Sequence, residues 1–371
     1  MTTDSDLEIF LVTVPGLERL LVQEAAEKGF KQPKAGRGGV TVFGDWAEVW
    51  RANLELRGAS KVLVRIGAFR VHHLAQLDKR ARKFPWSDFL RADVPVRVEA
   101  SCKKSKIYHS GAAAQRIENA VRDALGAPVE PGADIVIKAR IQNDLCTLSI
   151  DTSGEGLHKR GHKEAVNKAP LRETLAALFL RQCGYDGNEP LVDPMCGSGT
   201  FVIEAAEIAA NLKPGRSRRF AFEQLATFNE QAWTQMCEAG VTKIPASRFF
   251  GFDRDAGAIR MSQANAKRAG VEGFTEFRQQ PVSELAPPCE EPGLVIVNPP
   301  YGARIGDAKK LKPLYQALGQ TLTARFCGWR FGLVTATESL ANATGLPFAH
   351  ESAPVSHGGL RVKVYVTGPL A

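Results

Sequence analysis

Residues Leu191-Val192-Asp193-Pro194-Met195-Cys196-Gly197-Ser198-Gly199-Thr200, followed by Phe201-Val202-Ile203-Glu204-Ala205-Ala206, constrain the fold more than any other stretch of the chain. The apolar opening reads as a short buried strand, the glycines as a tight loop, and the run after Thr200 as a helix. A strand that feeds a helix through such a loop is the unit of an α/β sheet, where ligands gather at the carboxyl edge of the strands. Glycines at 197 and 199 let the backbone pass close to a ligand, and a helix opening at Thr200 turns its N–H groups toward it. No third glycine completes G-x-G-x-x-G and no Gly-Lys-Ser/Thr follows, so dinucleotide and P-loop fingerprints are both incomplete. Asp193, ahead of Pro194, would repel a pyrophosphate but attract an ammonium or sulfonium, which points to S-adenosylmethionine. A second strand, Phe249-Phe250-Gly251-Phe252, ends in Asp253, placed to accept from both ribose hydroxyls, and residues 256–269 read as a helix.

Downstream, Asn298-Pro299-Pro300-Tyr301 follows the apolar run Gly293-Leu294-Val295-Ile296-Val297. The run predicts a buried strand that delivers Asn298 to the same carboxyl edge. Two prolines fix φ and hold each preceding residue extended, so the Asn298 carboxamide and the Pro299 carbonyl face one point. Two fixed acceptors suit an exocyclic amino group, whose two hydrogens they orient while its lone pair is left to attack. Tyr301 is placed to stack on the base. The motif does not distinguish adenine N6 from guanine N2.

Charge is concentrated in one region. Residues 57–109 hold thirteen Lys and Arg against four Asp and Glu, a surplus of nine that exceeds the net +8 of all 371 residues. Lys79-Arg80-Ala81-Arg82-Lys83 and Lys103-Lys104-Ser105-Lys106 are interleaved with Phe84, Trp86, Phe89 and Tyr108. Such clustering suits a polyanion, with aromatics available to stack on unpaired bases, so RNA is the expected partner and Lys103, Lys104 and Lys106 are expected contacts. The length predicts two or three domains. No long apolar run is present and the N-terminus Met1-Thr2-Thr3-Asp4-Ser5-Asp6 lacks a basic segment, so neither secretion nor a membrane span is expected and the protein reads as cytoplasmic.

The seven cysteines are scattered without C-x-x-C, so neither a disulfide framework nor a zinc ribbon is expected. Pro288-Cys289 has the form of a nucleophilic Pro-Cys pair, but it precedes the strand at 294–297 on its amino side, away from Asn298. Cys196 sits in the glycine loop as a small side chain. His158 and His162 have i, i+4 spacing but lie among Gly154, Gly156 and Gly161 with no third ligand, so no metal is expected.

Periodicity predicts strands at 7–13, 38–43 and 61–69 alternating with helices at 17–28 and 46–54, a ferredoxin-like run. Strands at 94–101, 135–141 and 145–151 with a helix at 111–125 follow. Strands are also expected at 274–278 and 330–335, with a hairpin of 353–355 and 361–366 through His357-Gly358-Gly359.

Two further segments complete a pattern with the two motifs above: Asp151-Thr152-Ser153-Gly154-Glu155-Gly156-Leu157-His158-Lys159-Arg160-Gly161 and Ala169-Pro170-Leu171-Arg172-Glu173-Thr174-Leu175-Ala176-Ala177. With these the chain resembles the class I S-adenosylmethionine-dependent RNA methyltransferases that carry an N-terminal THUMP domain, especially the 23S ribosomal RNA guanine-N2 methyltransferases. The resemblance implies an α/β fold: a Rossmann-like class I methyltransferase domain with a seven-stranded, mostly parallel sheet at 161–371. An α+β region precedes it, ferredoxin-like over 1–70 and THUMP over 71–160. It implies that the stretch from Pro170 to Thr174 lies against the methionine end of S-adenosylmethionine. Asp193, Pro194, Cys196, Gly197, Ser198, Gly199 and Thr200 would hold the cofactor, and Asp253 its ribose. Catalysis would fall to Asn298, Pro299, Pro300 and Tyr301, and Lys159 and Arg160 in the basic linker would meet RNA. Two departures stand out. The family places an acidic residue against the adenine amino group, whereas the matching stretch here is Gln279-Gln280-Pro281-Val282-Ser283-Glu284, so Gln280 through its amide carbonyl, or Glu284, takes that place. The separation of Asp193 from Asp253 also exceeds the roughly 20 residues usual for such motifs, which calls for an insertion over 212–247. The expected reaction is methyl transfer to guanine N2 of 23S ribosomal RNA. Transfer RNA guanine N2, adenine N6 of DNA or RNA, and a non-catalytic RNA-binding or ribosome-assembly role are the alternatives.

Overall fold

A computed structural model describes residues 6–164, 171–301 and 308–371. They form two units, the first comprising the residues up to Thr13, Leu21–Leu157 and Arg218–Ala239, the second Val14–Leu20, His158–Ser217 and Gly240–Ala371.

The N-terminal elements are β1 (Leu7–Val12), α1 (Glu18–Glu27), β2 (Lys31–Gly36), β3 (Gly39–Gly44), α2 (Trp46–Glu55), β4 (Lys61–Arg70), α3 (Leu74–Arg82), β5 (Val96–Lys103), α4 (Ser110–Leu125), β6 (Ile135–Gln142) and β7 (Leu145–Asp151). One seven-stranded sheet, in the order β2-β3-β1-β4-β7-β6-β5, runs through the ferredoxin-like and THUMP regions alike. The join is the antiparallel β4–β7 pair, whose register shifts between Arg65 and Gly67. A side chain at Gly67 would lie 2.5 Å from the Phe84 ring, so only glycine lets that ring close over the strand. Alternation explains β1, which buries Ile9 and Leu11, while Asp45 starts α2 by accepting from the Glu48 N–H at 3.0 Å. Periodicity does not announce β2, which contains Pro33 and is largely exposed. It lies at the sheet edge, where a missing N–H costs no ladder bond.

In the second unit α5 (Glu173–Gln182) precedes β8 (Leu191–Asp193) and α6 (Thr200–Ala209). The insertion then supplies α7 (Glu230–Glu238), which belongs to the first unit. There Phe220 and Phe222 are buried, Phe222 stacks on Trp50 at 6.1 Å and meets Trp233 edge-on at 5.0 Å, and its N–H donates to Thr152 O at 3.0 Å. The extra length between Asp193 and Asp253 is thus part of the N-terminal core.

The chain continues through β9 (Phe249–Asp253), α8 (Ala256–Ala269), β10 (Thr275–Gln279), β11 (Leu294–Val297), α9 (Ala308–Arg325), β12 (Arg330–Thr335), α10 (Glu338–Ala343), β13 (Phe348–Glu351), β14 (Val355–His357) and β15 (Leu360–Thr367). The second sheet has the order β10-β9-β8-β11-β12-β15-β13, with β14 paired to β15 as the expected hairpin. Strands β10 to β12 are parallel, and β15 enters antiparallel between β12 and β13. Strand order reverses at the β8–β11 pair, the switch point where a crevice opens at the carboxyl edge of such a sheet. Asp193 ends β8 and Asn298 follows β11, so both motifs arrive at that crevice.

Candidate active site

The glycine loop is held from two sides. On one side the Cys196 N–H donates to Phe252 O at 2.9 Å, and the Gly197 N–H donates to Asp253 Oδ2 at 3.0 Å. On the other, α8 supplies Ser262, whose hydroxyl donates to Gly197 O at 2.9 Å, and Asn265, whose amide donates to Ser198 O at 3.0 Å. Both side chains are fully buried, three residues apart on one helix face, and Arg268 donates in turn to Asn265 Oδ1. Sequence reasoning passed over Ser262 and Asn265. The available signal was two polar residues on the apolar face defined by Ala258, Ile259, Ala266 and Ala269. Gly199 caps α6 at φ 82°, where a Cβ would lie 3.1 Å from Ser262, so the loop demands glycine twice over.

Asp193 is buried, accepting from the Met195 N–H at 3.1 Å. Burial pushes its carboxyl up to about 8, with the charge of Asp253 adding to the effect. A buried carboxyl held protonated in this way is drawn to ionise by a cationic ligand, and S-adenosylmethionine carries positive charge. Asp253 accepts from Gly197 and, at 2.9 Å through Oδ1, from the Asp255 N–H; each oxygen keeps a lone pair for a hydroxyl donor. The Gln280 amide nitrogen donates to Glu284 O at 2.7 Å, which leaves its carbonyl oxygen as an acceptor. Pro194 lies within the same loop.

Thr174 is buried in the first turn of α5, and Pro170 lies outside the described residues. Lys163 ties these parts together, donating to Leu171 O at 3.1 Å and Thr200 Oγ1 at 2.8 Å and pairing with Glu173 at 3.1 Å. All three ammonium hydrogens therefore have acceptors, and the α5 opening is fixed to the first residue of α6.

At the end of β11 the Asn298 Oδ1 atom is buried with no hydrogen-bond partner among the described residues. Such an orphaned acceptor costs stability unless a donor reaches it. The prolines are pinned from α9: the buried Tyr315 hydroxyl donates to Pro300 O at 3.1 Å and lies 3.3 Å from Thr335 Oγ1. Pro299 is buried. Tyr301 differs from expectation. It is only 8% exposed and packs in a core cluster with Val355, Val362 and Val364, which leaves little ring surface for a base to stack on. Burial also pushes the Cys196 thiol well up and the Cys289 thiol up, so neither is poised as a thiolate.

The expected RNA contacts divide. Lys103, Lys104 and Lys106 are exposed at the end of β5 and in the turn beyond it, beside Tyr108. Lys159 is exposed as well. Arg160 is not: it is buried and paired with Glu204 at 3.2 Å, so its guanidinium serves the core rather than a phosphate. Phe84, Trp86 and Phe89 likewise pack against one another, with Trp86 Nε1 donating to Ala81 O at 2.8 Å, and are withdrawn from base stacking. No described helix is long and apolar enough to cross a membrane.

A sheet reversing at β8–β11, a buried acid and glycine loop on one strand and an Asn-Pro-Pro-Tyr on the next define a class I methyltransferase that uses S-adenosylmethionine. Comparison with known proteins agrees. The family described as RMKL-like, methyltransferase domain matches residues 160–363, the RlmL ferredoxin-like domain 8–63, and the THUMP domain 71–151. The Synechocystis sp. protein provisionally named RNA methyltransferase slr0064 is 32% identical over 95% of this chain and 94% of its own length. The ribosomal RNA large subunit methyltransferase K/L of Vibrio parahaemolyticus is 34% identical over 89% of this chain and 49% of its own, so the chain spans about half the length of the K/L relatives it matches. Among solved structures SMU.472, provisionally a methyltransferase and complexed with S-adenosylhomocysteine, superposes with a TM-score of 0.88 at 25% identity, covering all of both chains. The chain belongs to the RMKL-like family of class I S-adenosylmethionine-dependent RNA methyltransferases.

Proposed function

We propose that this protein methylates the exocyclic N2 of a guanine in 23S ribosomal RNA. The observation that carries the reading is the buried, unpartnered Asn298 Oδ1 at the carboxyl end of β11, one strand from Asp193. An aromatic amine is a poor nucleophile because its lone pair is shared with the ring. Asn298 Oδ1, joined by the Pro299 carbonyl, accepts the amine hydrogens and holds nitrogen in the geometry of attack. Tyr315 keeps the acceptor pair from swinging away by anchoring Pro300 O. Asp193 supplies negative charge where the cofactor is positive, and Asp253 accepts from ribose hydroxyls. When bound, S-adenosylmethionine supplies the methyl group of a sulfonium. The buried Tyr301 serves this loop as packing that fixes its end.

Ribosomal RNA is favoured by the large-subunit names of the K/L relatives, and the exposed lysines at 103, 104 and 106 offer a phosphate-binding surface on the N-terminal unit. Nucleoside mass spectrometry of ribosomal and transfer RNA, with and without the gene, tests base, atom and RNA class together. Loss of N2-methylguanosine from the large-subunit RNA is the expected result. An unchanged ribosomal profile with a missing transfer RNA or N6-methyladenosine signal would replace this assignment.

A further inference from the structure

Strand β12 neighbours β11, and Thr335 at its carboxyl end pairs with Lys363 of the antiparallel β15. At this edge Ala336, Glu338, Pro354, Arg361, Lys363 and Tyr365 line a cavity of about 260 Å³. Pockets for drug-sized ligands run from roughly 300 to 1,000 Å³, so this one has room for a single nucleoside-sized group. Its position relative to the catalytic loop is fixed, because the Tyr315 hydroxyl bridges Pro300 O and Thr335 Oγ1.

The lining is chemically mixed. Arg361, Lys363 and Tyr365 share one face of β15, while the alternate Val362 and Val364 are buried in the core. Lys363 pairs with Glu351 at 2.9 Å and is neutralised by it. Arg361 is exposed and makes no ion pair among the described residues, leaving it as the cation that an incoming anion meets. Glu338 opens α10 across the cavity and offers acceptors to hydroxyl or amino donors, while the exposed Pro354 provides an apolar wall and Tyr365, packed against Phe348 in the core, contributes only its edge. The Arg361 cation, the Glu338 carboxylate opposite and the apolar Pro354 wall match the phosphate, the ribose hydroxyls and the base of one nucleotide, with the two anions, carboxylate and phosphate, kept to different sides.

We propose that this pocket receives the ribonucleotide adjoining the target base, with Arg361 on its phosphate. The assignment rests on the RNA methyltransferase reading and adds to it a substrate contact on the catalytic unit itself. In this arrangement the pocket holds the strand in register while Asn298 holds the target amine.

The test compares wild type with Arg361→Glu, Arg361→Gln and Arg361→Lys in methyl transfer to ribosomal RNA from cells lacking the gene, with cofactor affinity measured by calorimetry. Arg361→Glu should raise KM for RNA about tenfold, as loss of a charge-assisted contact does. Turnover should stay within about twofold and cofactor affinity should not change, because Arg361 touches neither the glycine loop nor Asn298. One lost phosphate contact should also flatten the dependence of log KM on log salt by about 0.7, a change that altered packing would not produce. Arg361→Gln should show the same slope, and Arg361→Lys should restore most of the wild-type behaviour. Folded Arg361→Glu and Arg361→Gln proteins with wild-type KM and salt slope would overturn the pocket assignment while leaving the enzyme reading intact. Absence of RNA methylation by the wild type would remove that reading, and the pocket assignment with it.

Discussion

Cofactor binding should release a proton, and Asp193 should be its source. Burial raises this carboxyl to about 8, so in the free protein at neutral pH it is mostly protonated. The sign follows from linkage: a carboxyl raised above its unfolded value lends stability that is present below the ordinary carboxylate range and lost as pH climbs through about 8. A cationic ligand reverses the preference, since it binds the ionised form. Affinity should then rise with pH. For one group titrating near 8, the fraction ionised increases about ninefold between pH 6 and pH 7, and the dissociation constant for S-adenosylmethionine should fall by the same factor. Over that interval the α-ammonium of the ligand, with its own pKa near 7.7 to 8.0, loses only about a tenth to a sixth of its charge and would change affinity in the opposite direction, so the trend belongs to the protein. Calorimetry at pH 7 in buffers of different ionisation enthalpy should count close to one proton released per cofactor bound. Asp193→Asn should bind more weakly and without pH dependence over this range. A wild-type dissociation constant that stays flat from pH 6 to pH 7, with no proton released, would refute this account of Asp193.

Other perturbations separate the parts of the site. Asn298→Ala should lower the single-turnover rate by about 100 to 1,000-fold while cofactor affinity, read by calorimetry, stays near wild type. Gly199→Ala, placed at φ 82° and crowded by Ser262, should cost about 1 kcal/mol or more in denaturant unfolding and weaken the cofactor. Arg160→Ala strands Glu204 in the core and should destabilise the fold by about 3 to 5 kcal/mol, with no change in the salt slope of RNA binding by the protein that remains folded. Replacing Lys103, Lys104 and Lys106 together with alanine should flatten that slope by about 2, as three phosphate contacts on a single strand imply, and leave cofactor affinity alone.

What could be read from sequence was local and periodic. Asp193, Asp253 and Asn298 stand at the ends of β8, β9 and β11 because each closes a short apolar run, and a run of that length has one sensible end for a polar residue. The hairpin of β14 and β15 was visible in His357-Gly358-Gly359 for the same reason. What escaped depends on partners far away in the chain. Arg160 reads as an RNA contact because its neighbours are Lys159 and Gly161, whereas Glu204, which pairs with it in the core, lies 44 residues on. Phe84 and Trp86 sit in a basic stretch, yet each ring has an apolar partner, and the face that a helix or turn presents is set by tertiary packing rather than by adjacent charge. Strand β2 lacks alternation altogether and exists because β3 offers it an edge to pair with.

The insertion has a consequence for how the protein is made. Phe220, Phe222 and Trp233 are synthesised well after β7, yet the N-terminal core is incomplete until they arrive. On a ribosome adding about 5 to 20 residues per second, that unit waits several seconds with Trp50 uncovered by Phe222. Its folding is therefore tied to the emergence of residues 218–239, by which time β8 and α6 have already been made. A stop codon or a gene fusion near residue 160 would thus yield a fragment with an exposed aromatic hollow, prone to aggregation and to capture by chaperones, whereas the same fragment supplied with a peptide spanning 218–239 should be rescued.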